Sequence, residues 1–187
     1  MARTLQRSHP LQSYESAFAA LPEGISVKAE PYLSMTDLRL PEDVDGPLGK
    51  ALPREPGGWV STADGLIVWL GPDEWLVLSG SRGPGELEAD LRDLARPNQG
   101  SAVDVSAQRI SLRVRGRHAR DLLSGGCSID LHPSVFQNGR SAQTTLGLTG
   151  VVLLALGADG DDFRILVRSS FAGYLAEWLV DAATEYR

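Results

Sequence analysis

Cys127 is the only thiol in the 187 residues, so no intrachain disulfide can form and a reducing setting is expected. Long apolar runs are missing as well. The longest, Val151 to Leu156, falls far short of the roughly 20 residues a membrane-spanning helix needs, and no apolar stretch of a secretory signal occurs in the first 25 residues. Only three histidines are present, which limits both general acid–base chemistry and metal ligation. Excess positive charge is also absent. A net charge of −6 argues against a general nucleic-acid binder, because such proteins gain most of their affinity by neutralising phosphates. No G-x-S-x-G, no G-x-x-x-x-G-K-[ST] and no G-x-G-x-x-G pattern is found.

What is present suits a folded domain: 42% of residues are apolar and 22% charged, and a chain of this length buries roughly 70% of its unfolded surface. Residues 1–25 have weak periodicity and read as an irregular or partly helical arm. Extended segments are expected over 25–40, a short Gly-interrupted helix over 42–51, and a Pro/Gly-rich connection after it. Leu66 to Leu70 and Trp75 to Leu78 flank Gly71-Pro72-Asp73-Glu74, the pattern of a β-hairpin. Leu87, Leu91 and Leu94 share one face of a helix over 85–96 that Pro97 ends. Further strands are expected at 103–106, 109–114, 142–146, 151–156 and 163–167, with a short helix at 116–123 and a closing helix over 171–186.

The order strand, short helix, strands, helix occurs twice. This predicts an α+β fold of two ferredoxin-like βαββαβ-type halves packed together, a single domain over 26–187 with pseudo-duplicated halves at about 26–106 and 107–187.

Arg109, Arg113, Arg115 and Arg117 form a basic stretch on an otherwise acidic chain, followed by His118 and Arg120. In the strand over 109–114 the aliphatic Ile110, Leu112 and Val114 alternate with these arginines, so period two places the cations on the face away from the core. The planar guanidinium suits bidentate pairing with carboxylates, which points to a partner interface. Reversing charge at Arg113 and Arg115 is expected to weaken docking and leave the fold intact.

The other candidates read as structure. Cys127 and His132 lie five apart without the further ligands zinc requires. Gly125 and Gly126 follow a helix rather than precede one and read as a C-cap. Asp73-Glu74 suits a hairpin turn, and Asp159, Gly160, Asp161 and Asp162 suit a solvated turn. Asp104, between Val103 and Val105, is expected to turn partly inward and pair with Arg109 or the Ser106 hydroxyl. Trp69, Trp75 and Trp178 fit a core, with an aromatic partner surface as the sharper alternative.

Four segments in this order and spacing, Leu70-Gly71-Pro72-Asp73-Glu74-Trp75-Leu76, Val103-Asp104-Val105-Ser106, Gly126-Cys127-Ser128-Ile129-Asp130-Leu131 and Arg168-Ser169-Ser170-Phe171-Ala172-Gly173-Tyr174, resemble the gamma subunit of heterotetrameric sarcosine oxidase. The resemblance covers roughly residues 30 to 187. It implies a cytoplasmic complex with alpha, beta and delta subunits that oxidatively demethylates sarcosine to glycine. FAD, FMN, NAD and tetrahydrofolate are then held by the large subunits and zinc by the delta subunit, with no cofactor, metal or catalytic residue in this chain. It also implies a fold similar to the folate-binding domain of aminomethyltransferases, and a stabilising role on the alpha subunit, with no nucleic acid or membrane as partner. The rival readings are a self-sufficient folate-binding or one-carbon transfer protein, in which Asp104 lies near the ligand, and a free-standing assembly factor.

Overall fold

The computed structural model describes residues 7–187 apart from 42, 45, 48, 158 and 159. A 3-10 turn at Gln12–Tyr14 leads into α1 (Glu15–Ala19), then β1 (Ser26–Glu30), β2 (Ser34–Arg39), β3 (Trp59–Ser61), β4 (Gly65–Gly71), β5 (Glu74–Ser79) and α2 (Pro84–Ala95). The chain continues through β6 (Ser101–Asp104), β7 (Arg109–Arg115), α3 (Ala119–Ser124), β8 (Ser141–Leu146), β9 (Thr149–Ala155), β10 (Asp162–Arg168) and α4 (Ala172–Ala182).

The strands form two antiparallel five-stranded sheets, ordered β3-β4-β5-β2-β6 and β1-β7-β10-β9-β8. Alternation along each strand decides which layer a side chain joins. In β5, Trp75 and Val77 pack with Leu87 and Leu91 of α2, whereas Leu76 and Leu78 point to the second sheet. In β9, Val151 and Leu153 pack with Leu123, Leu175 and Leu179 from α3 and α4, whereas Val152 and Leu154 point back to the first sheet. The result is four layers: helix, sheet, sheet, helices. Because both faces of these strands are covered, β4, β5 and β9 read as nearly unbroken apolar runs. Each fully buried side chain of this size contributes about 1.5–3 kcal/mol.

The α+β architecture is as the sequence implies, with four differences in detail. First, β1 belongs to the second sheet, paired with β7, so the first sheet spans only residues 34–104 and the two expected halves interlock. Second, Leu11 and Phe18, from the weakly patterned segment before residue 25, are buried in the core of the second sheet. Third, the described residues of 42–51 form turns and bends instead of a helix, and Glu42, Asp45 and Leu48 lie outside the described residues. Gly46 lies so close to the Lys50 carbonyl that a Cβ would meet it at 2.0 Å, and Pro47 has no amide to donate to a helix. Fourth, β4 and β5 close through Pro72-Asp73 alone, with Gly71 opposite Glu74 and an irregularity between Trp69 and Gly71.

On the second sheet, the face turned from the helices is apolar where the first sheet covers it and charged beyond. Lys28, Arg113 and Arg164 sit directly opposite one another on three adjacent strands, an arrangement of like charges that is unfavourable by itself. Two diagonal carboxylates resolve it. Arg164 donates two hydrogen bonds to Glu30, at 2.8 and 3.0 Å, and the Ser111 hydroxyl donates a third at 2.7 Å. Arg113 grips Asp162 through Nε and Nη2, and Arg115 Nε donates to the same carboxylate at 3.2 Å. Burial by itself would raise both carboxyl pKa values, but the guanidinium hydrogen bonds and charges outweigh it and hold both below the ordinary range.

This network corrects two expectations. Asp162 is a paired strand residue rather than part of a solvated turn, and Asp159 of that cluster lies outside the described residues. The Arg113 side chain is only 18% exposed and is committed to Asp162, so it is not a free surface cation. Arg113→Glu is therefore expected to lower unfolding free energy by about 2–4 kcal/mol, where Arg115→Glu costs about 1 or less, as read by denaturant titration. Because both carboxylates have depressed folded pKa values, their stabilisation is complete above the unfolded values near pH 4 and is lost as the pH falls through the folded ones. The stability gap between the wild-type protein and Glu30→Gln should be widest at neutral pH and shrink as the pH falls below the unfolded carboxyl value in acid unfolding.

Candidate functional site

At the end of the second sheet where β7 begins and β10 finishes lies a groove of about 500 Å³. Arg109 and Arg168 are cross-strand neighbours in the β7–β10 register and form one side of it. Thr144, Thr145 and Ser128 supply hydroxyls, and Val152 and Leu166 form the floor. On the flank nearest the first sheet, Gln143 Nε2 donates to the Leu70 carbonyl at 2.8 Å. Arg109 Nη1 donates to Gln108 at 2.6 Å, while the side chain of the exposed Arg168 has no hydrogen bond or ion pair among the described residues. Burial and then the neighbouring charge of Arg168 lower the Arg109 pKa, with the charges of Asp37 and Glu74 acting in opposition.

Those two carboxylates belong to the first sheet. Alternation puts Asp37 on the face of Met35 and Glu74 on the face of Leu76, toward the second sheet. Arg39 gathers them: its Nη2 is 2.7 Å from Glu74, its Nη1 3.5 Å from Asp73 and its Nε 3.8 Å from Asp37. Burial raises the Glu74 pKa, and Asp37 raises it further against the opposing charge of Arg39. The hairpin residues Asp73 and Glu74, expected only to shape a turn, thus form an acidic rim near a basic groove.

The four arginines of the basic stretch have separate roles. Arg109 lines the groove, Arg113 is locked to Asp162, and Arg115 is 58% exposed on the same face. Arg117 lies past the end of β7, where it bonds Glu23 at 3.4 Å and the His118 ring at 3.1 Å, so it is not part of that face. Arg120 lies over the Phe163 ring and donates to the Leu131 carbonyl, a structural clamp.

Asp104 is exposed rather than partly buried. Its partner is Ser106, whose amide and hydroxyl both donate to Oδ1, at 3.0 and 2.5 Å, and not Arg109. Ser106 Oγ in turn accepts from the Met35 amide at 2.9 Å, so this segment fastens the chain as it leaves the first sheet. Cys127 pairs through its backbone with Leu146, while His132 is held in an exposed turn by Ser134 Oγ at 2.7 Å from Nδ1. Among the described residues, no group of three or more His, Cys, Asp or Glu side chains could hold a metal ion. Trp75 is fully buried with its indole donating to the Pro53 carbonyl at 2.8 Å, and Trp69 and Trp178 pack against the cores. Gly126 follows α3 as expected, but its decisive role is steric: a Cβ there would meet the Trp178 ring at 2.3 Å.

Arg168 is the functional candidate that periodicity misses. Its strand pattern assigns it a surface position, and only the pairing of β10 with β7, 59 positions apart in the Arg109–Arg168 pair by number (168 − 109), brings the two guanidinium groups together.

Residues 37–185 match the sarcosine oxidase gamma subunit family. The sarcosine oxidase subunit gamma of an Arthrobacter species is 37% identical over 142 residues, 74% of this chain and 67% of the relative. The corresponding subunit from Corynebacterium sp. strain P-1 is 34% identical over 140 residues, again 74% of this chain and 67% of the relative. The alignments thus span about two thirds of these relatives' length. Among solved structures, a chain of the heterotetrameric sarcosine oxidase from Corynebacterium sp. U-96, in complex with pyrrole 2-carboxylate, superposes with a TM-score of 0.87 at 28% identity over 96% of both chains. The glycine cleavage system aminomethyltransferase T from Bartonella henselae matches with a TM-score of 0.61 at 13% identity, covering 88% of this chain and 48% of that one, a likeness of fold alone. With a family match across most of the chain and relatives more than 30% identical, the protein belongs to the sarcosine oxidase gamma subunit family.

Proposed function

We propose that this protein is a non-catalytic gamma subunit of a heterotetrameric sarcosine oxidase, the complex that oxidatively demethylates sarcosine to glycine. The observation that carries this reading is the superposition on a chain of such a heterotetramer over nearly the whole length of both. The distribution of reactive groups agrees with it. Cys127, His132 and Asp104 lie in separate segments, each engaged locally, and the His132–Ser134 contact is an exposed turn rather than a nucleophile held by a base and an orienting acid.

In this reading the partners are the alpha, beta and delta subunits. FAD, FMN, NAD and tetrahydrofolate belong to the larger chains, zinc belongs to the delta chain, and the complex works in the cytoplasm. No helix of the described residues is long and apolar enough to cross a membrane. The gamma subunit docks on the alpha subunit and stabilises it. Of the four arginines in the basic stretch, Arg109 and Arg115 are the ones we assign to that contact: Arg109 lines the groove, Arg115 stays 58% exposed while bonding Asp162, Arg113 is largely buried against Asp162, and Arg117 lies past the end of the strand.

Affinity purification of the tagged protein from its native host is expected to bring down larger flavin-containing chains in stoichiometric amount. The isolated chain, supplied with FAD and sarcosine, is expected to show no turnover, and calorimetric titration with tetrahydrofolate no tight binding. Sarcosine oxidation by the purified chain alone would refute the reading.

A further inference from the structure

The end of the second sheet that carries Arg168 also exposes apolar side chains in fixed positions. Leu148 stands at the tip of the two-residue turn between β8 and β9 and is 88% exposed. That turn is anchored. The Leu148 amide donates to the Tyr174 hydroxyl at 2.9 Å, and Gly147, at φ 59, packs so tightly that a Cβ would meet that hydroxyl at 2.7 Å. Phe171 and Tyr174, 47% and 36% exposed, are three positions apart where the chain enters α4. The groove begins at Thr145 and Gly150, beside this tip, and ends at Arg109 and Arg168.

We propose that this end of the molecule is a docking face for an acidic segment of a larger partner subunit, an inference that rests on the heterotetramer reading. A carboxylate lies between Arg109 and Arg168, and an apolar side chain packs against Leu148 and Tyr174. Charge decides the occupant. The two guanidinium groups face each other across adjacent strands and repel, and a carboxylate between them turns that repulsion into two charge-assisted hydrogen bonds. A second copy of this chain, itself at −6, would have to bring together two acidic molecules. Arginines lining a groove, with exposed Tyr and Phe at the neighbouring start of α4, are the residue types that anchor protein–protein interfaces, and a tip held out by a backbone hydrogen bond needs little ordering on association.

The test uses the complex co-expressed with its partner subunits. Arg168→Glu and Leu148→Asp are each expected to weaken retention of the gamma chain by about tenfold or more, with the melting temperature of the isolated chain unchanged. Both side chains are exposed, and the bond to Tyr174 uses the Leu148 backbone, so the fold should tolerate either change. Arg168→Gln serves as a second, milder variant and should flatten the salt dependence of association. Wild-type yield and salt dependence in all three variants would overturn the docking face and leave the subunit reading standing. Failure of the wild-type chain to associate with any larger subunit would overturn both. A wild-type homodimer that Leu148→Asp converts to monomer would assign the face to a second copy and overturn the proposal.

Discussion

The apolar seam between the two sheets is the constraint that sets everything else. Met35, Leu66, Val68, Leu76 and Leu78 on one side and Val152, Leu154 and Leu166 on the other must interdigitate, so the strands that carry them need apolar residues on both faces. Strands with two buried faces cannot also present reactive groups, because an unpaired polar group inside this seam would cost several kcal/mol. Function is therefore confined to where the seam ends. At one border lies the ladder of Glu30, Arg164, Asp162 and Arg113, and at the other the groove with Arg109 and Arg168.

The two borders treat the same residue type differently. In the ladder Arg113 finds a carboxylate on the adjacent strand and Arg164 reaches across β7 to one on β1, so the charges are consumed in fixing the register of β1, β7 and β10. Near the groove the carboxylates Asp37 and Glu74 are gathered by Arg39 instead, so Arg109 and Arg168 form no ion pair among the described residues. A basic stretch of sequence thus divides into internal fasteners and outward-facing groups according to which acidic residue the opposing strand supplies.

Much of the fold was legible because the signals were local. The alternation in β7, the flanking runs of the β4–β5 hairpin and the spacing of Leu87 and Leu91 each fix an element without knowledge of its neighbours. What was not legible depends on which strands meet. The partnership of Arg113 with Asp162 spans 49 residues, and nothing in the residues around either foretells it. Arg168 looks like an ordinary strand end until β10 lies beside β7. Leu148 is a lone apolar residue in a turn, a type of exposure common on protein surfaces, and only its anchoring by Tyr174 sets it apart. Leu11 and Phe18 enter the core from a segment too irregular to show a period.

The placement of β1 ties the start of the chain to a strand made much later. Glu30 and Ser111 bond across 81 positions, and the whole first sheet, residues 34–104, intervenes. As the chain emerges from the ribosome, that first sheet has all its strands before β1 has any partner. Residues 26–30 must wait as an unmatched edge until β7 appears, and closing so long a loop is an entropic cost met late in folding. The alternation of Ser26 and Lys28 with Val27 gives this waiting strand a polar side, which discourages adventitious pairing with other nascent chains during the interval.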